Sequence, residues 1–120
     1  MIKTDRLPEF EKELKKLSKK YRTLETDLKT FISVQLRLFH ELKQDNGGIV
    51  NISGLGIEDP KIYKARKFAC RALCGTGSNS GIRIIYAYYI QESRIQFIEI
   101  YYKGDKALED RTRILRHYKP

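Results

Sequence analysis

Residues 62–106 constrain the fold more than any other part of the chain. They read IYKARKFACRAL, a Gly/Ser stretch CGTGSNSG, then IRIIYAYYI, a QES turn and RIQFIEIYYKGDK. Ile, Tyr and Phe dominate, and such side chains suit strands. In Ile82–Ile90 the residues Ile82, Ile84, Tyr86 and Tyr88 alternate with Arg83, Ile85, Ala87 and Tyr89, so the two sets point to opposite faces. Three strands are expected, from Ile62 to about Ala72, over Ile82–Ile90 and over Arg94–Tyr102. Their connections are too short for parallel crossovers, which makes them an antiparallel meander. Arg94–Tyr102 is apolar on both faces and reads as a central strand. Along it, simple alternation packs Tyr102 beside Ile98 and Ile100 and leaves Tyr101 and Glu99 as the more exposed pair.

The first half of the chain is helical. A short edge strand over Ile2–Thr4 precedes Pro8, which suits a first helical turn. Phe10, Leu14, Leu17 and Tyr21 then fall at helical spacing, with Lys12, Lys15, Lys16, Lys19 and Lys20 around them. Thr23 is a candidate N-cap for a second helix, with Glu25 and Asp27 in its first turn. Leu24, Leu28, Phe31, Gln35, Leu38 and Leu42 trace its expected inner face, and Asp45-Asn46-Gly47-Gly48 is a stop signal. His40 is expected on the surface or in helix packing, far from the sheet. Gly47–Pro60 reads as a loop, and Glu109–Tyr118 as a last short helix. The order β-α-α-β-β-β-α, with a helical hairpin packed on a small antiparallel sheet, is an α+β fold. A single domain over residues 1–120 is expected.

Composition narrows the partners. Lys and Arg number 24 against 15 acids, a net charge of +9, which points to nucleic acid, an acidic protein or an anionic surface. A membrane is the weakest of these, because no apolar run approaches the ~20 residues that span a bilayer, and the N-terminus shows no secretory h-region. Cys70 and Cys74 read as reduced cytosolic thiols, and two thiols without further Cys or His nearby do not complete a zinc site. No cofactor is expected. The GTGSNSG loop lacks a P-loop pattern and joins two strands, so it reads as a flexible hairpin tip and not as a phosphate cradle.

The cations on the strands stand out. Lys64 and Arg66 are two apart and share a strand face. Arg83 lies between Ile82 and Ile84, and Tyr101, Tyr102 and Lys103 close the last strand. A planar guanidinium offers a fork for phosphate and an ammonium a compact charge. Cations held on rigid strands can stabilise the charge that develops as a phosphodiester breaks. His117, in the basic C-terminal stretch, could join them if the last helix folds back over the sheet.

Tyr63-Lys64-Ala65-Arg66 and Gly81-Ile82-Arg83-Ile84-Ile85-Tyr86, set behind a Lys-rich helical hairpin, resemble the RelE/ParE superfamily of toxins from toxin–antitoxin modules. The resemblance covers nearly the whole chain. It implies either a RelE-like, ribosome-dependent endoribonuclease that cuts messenger RNA, or a ParE-like inhibitor of DNA gyrase without nuclease residues. A non-catalytic RNA-binding protein of the same fold is a third reading. The nuclease reading implies metal-independent attack by the 2′-OH, no cofactor, a cytoplasmic location, and a small acidic antitoxin together with the ribosome and mRNA as partners. Carried over by position, Lys64 and Arg66 match the cationic pair of the second strand, and Arg83 the strand-three Arg. Tyr101 and Lys103 fall where relatives place their last catalytic groups, although some relatives carry a His or a terminal Tyr there. Lys61, Lys67 and Arg71 are the accompanying candidates for RNA contact.

Overall fold

A computed structural model describes residues 2–45 and 47–118. Within these, one sheet holds five strands: β1 (Lys3–Arg6), β2 (Ile49–Asn51), β3 (Lys61–Ala65), β4 (Ile82–Tyr89) and β5 (Arg94–Tyr102). Their order across the sheet is β1-β5-β4-β3-β2. The meander β3-β4-β5 is antiparallel, while β1 runs parallel to β5 and makes it the second strand in from the edge. The sheet is therefore mixed and not purely antiparallel. The additional strand, β2, lies inside the segment expected to be a loop and pairs antiparallel with β3. β3 ends at Ala65 rather than near Ala72. Past it the chain turns so that Phe68, fully buried, meets Phe31 with ring centroids 5.3 Å apart. The Gly/Ser stretch is pinned and not a free tip. Ser80 Oγ donates to the Phe68 carbonyl at 2.5 Å, and Phe68 N–H donates to Ser78 O at 3.0 Å.

α1 (Pro8–Lys20) and α2 (Leu24–Phe31) cover one face of the sheet. α1 buries Phe10 and Leu14 and leaves its lysines outside, as the 3.6-residue period dictates. α2 continues into a π-helix, Ile32–Glu41, whose end is marked by the bond from Leu42 N–H to Arg37 O, five residues back. The wider turn rotates the inner face. After Leu24, Leu28 and Phe31 the buried residues are Leu36 and His40, while Gln35 and Leu38 are only half-buried and Leu42 is exposed. An inner face over Gln35, Leu38 and Leu42 followed from a uniform α-helical period, which the π-helix breaks. Lys43, in the left-handed region at φ 56°, ends the helical run. The expected stop falls just beyond, where Asp45 Oδ1 accepts from Gly47 N–H at 2.7 Å; Asn46 of that signal lies outside the described residues.

His40 consequently sits against the sheet, not away from it. It is 4% exposed, its Nε2 is 2.8 Å from the Tyr86 hydroxyl, and Phe39, Tyr63 and Tyr88 surround it. Burial, with Lys43 adding repulsion, lowers its pKa to about 4.

The opposite face is covered by α3 (Arg111–His117) and the segment around Ile52–Leu55, which bury Ile62, Ile85, Ile98 and Ile114. α3 starts at Asp110, whose side chain accepts from Arg113 N–H, a standard N-cap bond. β1 pairs with β5 only as far as Phe97. Beyond that point the edge of β5 is closed by side chains: Arg113 donates to the Ile98 carbonyl at 2.8 Å, and Glu13 accepts from Ile100 N–H at 3.3 Å. Glu13 and Arg113 also pair with each other through two bonds of 2.8 and 2.9 Å, joining α1 to α3.

Candidate functional site

The strand register decides which candidates meet. Lys64 of β3 stands opposite Ile85 of β4, and Arg83 lies two residues from Ile85 on the same face. Arg83 faces Tyr101 across the β4–β5 pair. Just past the strand ends, Arg83 Nη1 donates to the Arg66 carbonyl at 2.8 Å and Lys103 N–H donates to Gly81 O at 2.9 Å. The backbones of Arg66 and Lys103 thus lie beside Arg83 and its neighbour Gly81 at one end of the sheet. Gly81 sits at φ +88°, and a Cβ there would come within 2.9 Å of the Tyr102 ring. Only glycine lets the chain enter β4 so close to the end of β5.

Tyr101 and Glu99 are buried, at 5% and 0% exposure, and are not the exposed pair expected from alternation. The cause is that both faces of β5 are covered: Glu99 and Tyr101 lie on the side under α3, and a bulge between Ile85 and Tyr86, where Ile85 pairs with Glu99 and Tyr86 with Phe97, puts the extra residue Ile98 there as well. Ile98, Glu99 and Tyr101 therefore share the α3 side, whereas Ile100 and Tyr102 pack on the helical-hairpin side. The Tyr101 hydroxyl is buried without a hydrogen-bond partner.

The segment after β5 supplies groups that strand patterning did not single out. Glu99 is bonded to Lys106 Nζ and accepts from Asp110 N–H at 2.8 Å. Glu109 accepts from Lys64 Nζ at 3.0 Å and from Arg111 Nε at 3.1 Å. Arg111 also reaches the Ser53 carbonyl at 3.1 Å. The Lys64 and Glu109 side chains are 16% and 5% exposed. Burial by itself would lower the Lys64 pKa, but the bond to Glu109 and the nearby Tyr101 hydroxyl, which is not in hydrogen-bonding geometry, outweigh it and leave the pKa raised. Burial would raise the Glu109 pKa; its own backbone N–H and Lys64 hold it lowered instead. Both groups are charged at neutral pH, so Lys64 is a fixed cation and not a neutral amine. The one sequence cue to Glu109 was its place beside Asp110, the cap of the last helix.

These pairings divide the cations. Lys64 and Arg111 share the Glu109 carboxylate, and Lys106 pairs with Glu99. Arg66, Arg83 and Lys103 have no carboxylate partner among the described residues, and Arg66 and Lys103 are exposed. The other candidates lie elsewhere. Lys61 pairs with Tyr88 and so takes the hairpin side of the sheet. Arg71 is held on α2 by Asp27, which accepts from its Nε and its backbone N–H at 3.0 Å each. Lys67 is half-buried in the turn after β3. His117 bonds Glu9 at 3.1 Å and ties α3 to the start of α1, away from this end of the sheet. Cys70 and Cys74 are free. No three His, Cys, Asp or Glu side chains converge among the described residues. No helix among them is long and apolar enough to cross a membrane.

No family model matches the sequence, and neither does any curated protein. The crystal structure of the archaeal RelE–RelB complex from Pyrococcus horikoshii OT3 is similar to this chain over 86% of its length and 96% of that chain's. The TM-score is 0.51 and the sequence identity 17%. With a mixed sheet, a helical hairpin on one face and a short helix on the other, the chain has a RelE-like fold.

Proposed function

We propose that this protein is the toxin of a type II toxin–antitoxin module, an endoribonuclease that cuts messenger RNA on the ribosome by metal-independent attack of the 2′-OH. The observation that carries this reading is the placement of Arg66, Arg83 and Lys103, without carboxylate partners among the described residues, at one end of a RelE-like sheet. Such cations attract the phosphodiester, and Arg83, held by the backbone of β4, needs little reorganisation as charge builds on the phosphodiester's oxygens. Arg83 is the central one, half-buried and aimed by its bond to the Arg66 carbonyl. Tyr101 faces it with an unpartnered hydroxyl, and Lys103 flanks it; these two are the groups proposed to complete the proton transfers. The structural neighbour is a RelE–RelB complex, which supports a protein antitoxin as partner. A net charge of +9 favours an acidic one and a fast, salt-sensitive encounter in the cytoplasm.

The test is induced expression with mapping of mRNA 5′ ends, in parallel with Arg83→Ala. Removing one preorganised cation costs on the order of 3 kcal/mol, about a hundredfold in rate. Arg83→Ala is expected to fold, to leave message intact and to relieve growth arrest. A folded Arg83→Ala protein that still arrests growth, with DNA breaks in place of cut message, would favour a gyrase-directed toxin.

A further inference from the structure

The pair formed by Lys64 and Glu109 has the chemistry of an occupied anion site. Lys64 projects from β3, which is hydrogen-bonded on both sides, to β2 and β4, and its position is fixed by that backbone. Glu109 comes from the irregular segment between β5 and α3, which exposes Leu108 at 67%. One carboxylate oxygen takes Lys64 and the other Arg111, the two-oxygen bridge that a phosphodiester makes between two cations. With the side chains 16% and 5% exposed, no second anion reaches Lys64 while Glu109 holds it. Yet Arg83, on the same face, has no carboxylate partner among the described residues, and Arg66, whose carbonyl it bonds, is exposed just past the end of β3.

We propose that Glu109 stands in the place of a substrate phosphate on Lys64, so that the chain carries its own competitor for RNA and engages RNA fully by exchanging this carboxylate for a phosphodiester. This rests on the reading of the face as one that acts on RNA. The exchange is balanced in charge: one anion leaves Lys64 as another arrives, so no buried ammonium is stranded without a partner. Arg83 and Arg66 make the first contacts, and the segment over residues 103–110 yields afterwards. The raised pKa of Lys64 fits this order, because the ammonium is kept charged until phosphate replaces the carboxylate.

The experiment measures binding without cleavage. A short single-stranded RNA with 2′-O-methyl riboses cannot be cut by its own 2′-oxygen, and its binding can be followed by fluorescence anisotropy across a salt series. In wild type Lys64 is engaged by Glu109. In Glu109→Gln no carboxylate has to be displaced, so affinity is expected to rise several-fold, while the slope of log K against log salt matches wild type because both complexes hold the same phosphates. Adding Lys64→Gln to that variant should abolish the gain and make the slope shallower by about 0.7, one phosphate fewer on a single strand. Equal affinities for wild type and Glu109→Gln overturn the exchange while leaving the RNA reading in place. Failure of both proteins to bind RNA, together with uncut message in cells, overturns the RNA reading and the exchange with it. If Glu109→Gln does not fold, the wild-type protein decides: the carbon-13 resonance of the Glu109 side-chain carboxylate should move on adding the methylated RNA, and an unmoved resonance at saturation refutes the exchange.

Discussion

Acidifying the solution tests the environment assigned to His40. Unfolded, its imidazole takes up a proton near pH 6.5; folded, between the Tyr86 hydroxyl and the rings of Phe39, Tyr63 and Tyr88, it does so only near pH 4. The charged group facing it is Lys43, just past the end of its own helix; burial raises the pKa of the Tyr63 and Tyr86 phenols that flank it, Tyr88 packs on its ring, and Asp45 lines the adjacent opening. Between the two values the unfolded chain binds the extra proton, so stability is full above pH 6.5 and falls as pH drops toward 4. At about 1.4 kcal/mol per unit, the loss between neutral pH and about pH 4.5 comes to about 2.5 kcal/mol. Other groups titrate in the same window, so the readout is a difference. Urea denaturation of wild type and His40→Gln at both pH values should show the wild type losing about 2.5 kcal/mol more than the variant. The glutamine lowers absolute stability at both values through lost ring contacts, and that part cancels. Parallel losses in the two proteins would refute the burial of a neutral imidazole at this position, and with it the π-helical phase that places His40 there.

Three further substitutions probe the packing. Leu36→Ala should cost about 3 kcal/mol of stability in chemical denaturation, as a fully buried leucine does, whereas Leu38→Ala should cost about 1 kcal/mol; the reverse ranking would restore a uniform α-helix. Arg113→Ala should destabilise by about 3 kcal/mol, since it leaves the Ile98 carbonyl without its donor and the Glu13 carboxylate without its cation at the edge of β5. Hydrogen exchange at Ile100 N–H should then accelerate selectively, and unchanged protection there would show that the pair does not guard the edge.

What could be read from residue order was the part governed by short periods. β5 begins and ends at Arg94 and Tyr102 as alternation and the flanking turns require, and β4 stops one residue before Ile90. α1 places Phe10 and Leu14 inside for the same reason. The departures arise where one residue too many is inserted into a period. Ile98 in β5 shifts Glu99 and Tyr101 to the side covered by α3, and the five-residue step from Phe31 to Leu36 re-aims His40. In both cases the competing phase was also apolar, so hydrophobicity did not discriminate. β2 was missed because three residues among glycines give no period at all. At the candidate site, the approach of Arg66 to Arg83 follows from strand pairing once β3 and β4 are adjacent. The capture of Lys64 by Glu109, 45 residues away, depends on how the segment after β5 folds back, and no local pattern encodes it.

The parallel pairing of β1 with β5 has a consequence for biosynthesis. Asp5 sits beside Arg94 and Gln96, 89 and 91 residues downstream. At about 5–20 residues per second, a ribosome needs roughly 5–20 s to make that interval. Throughout it the N-terminal strand has no neighbour in the sheet, and the apolar stripe of α1 lacks Phe97, the ring on which Phe10 stacks. The nascent chain can close its helical hairpin early, but β5, which pairs with both β1 and β4, is made last of the five strands. Folding of the sheet is therefore gated by the synthesis of β5, and the cationic end takes shape only after that strand is available.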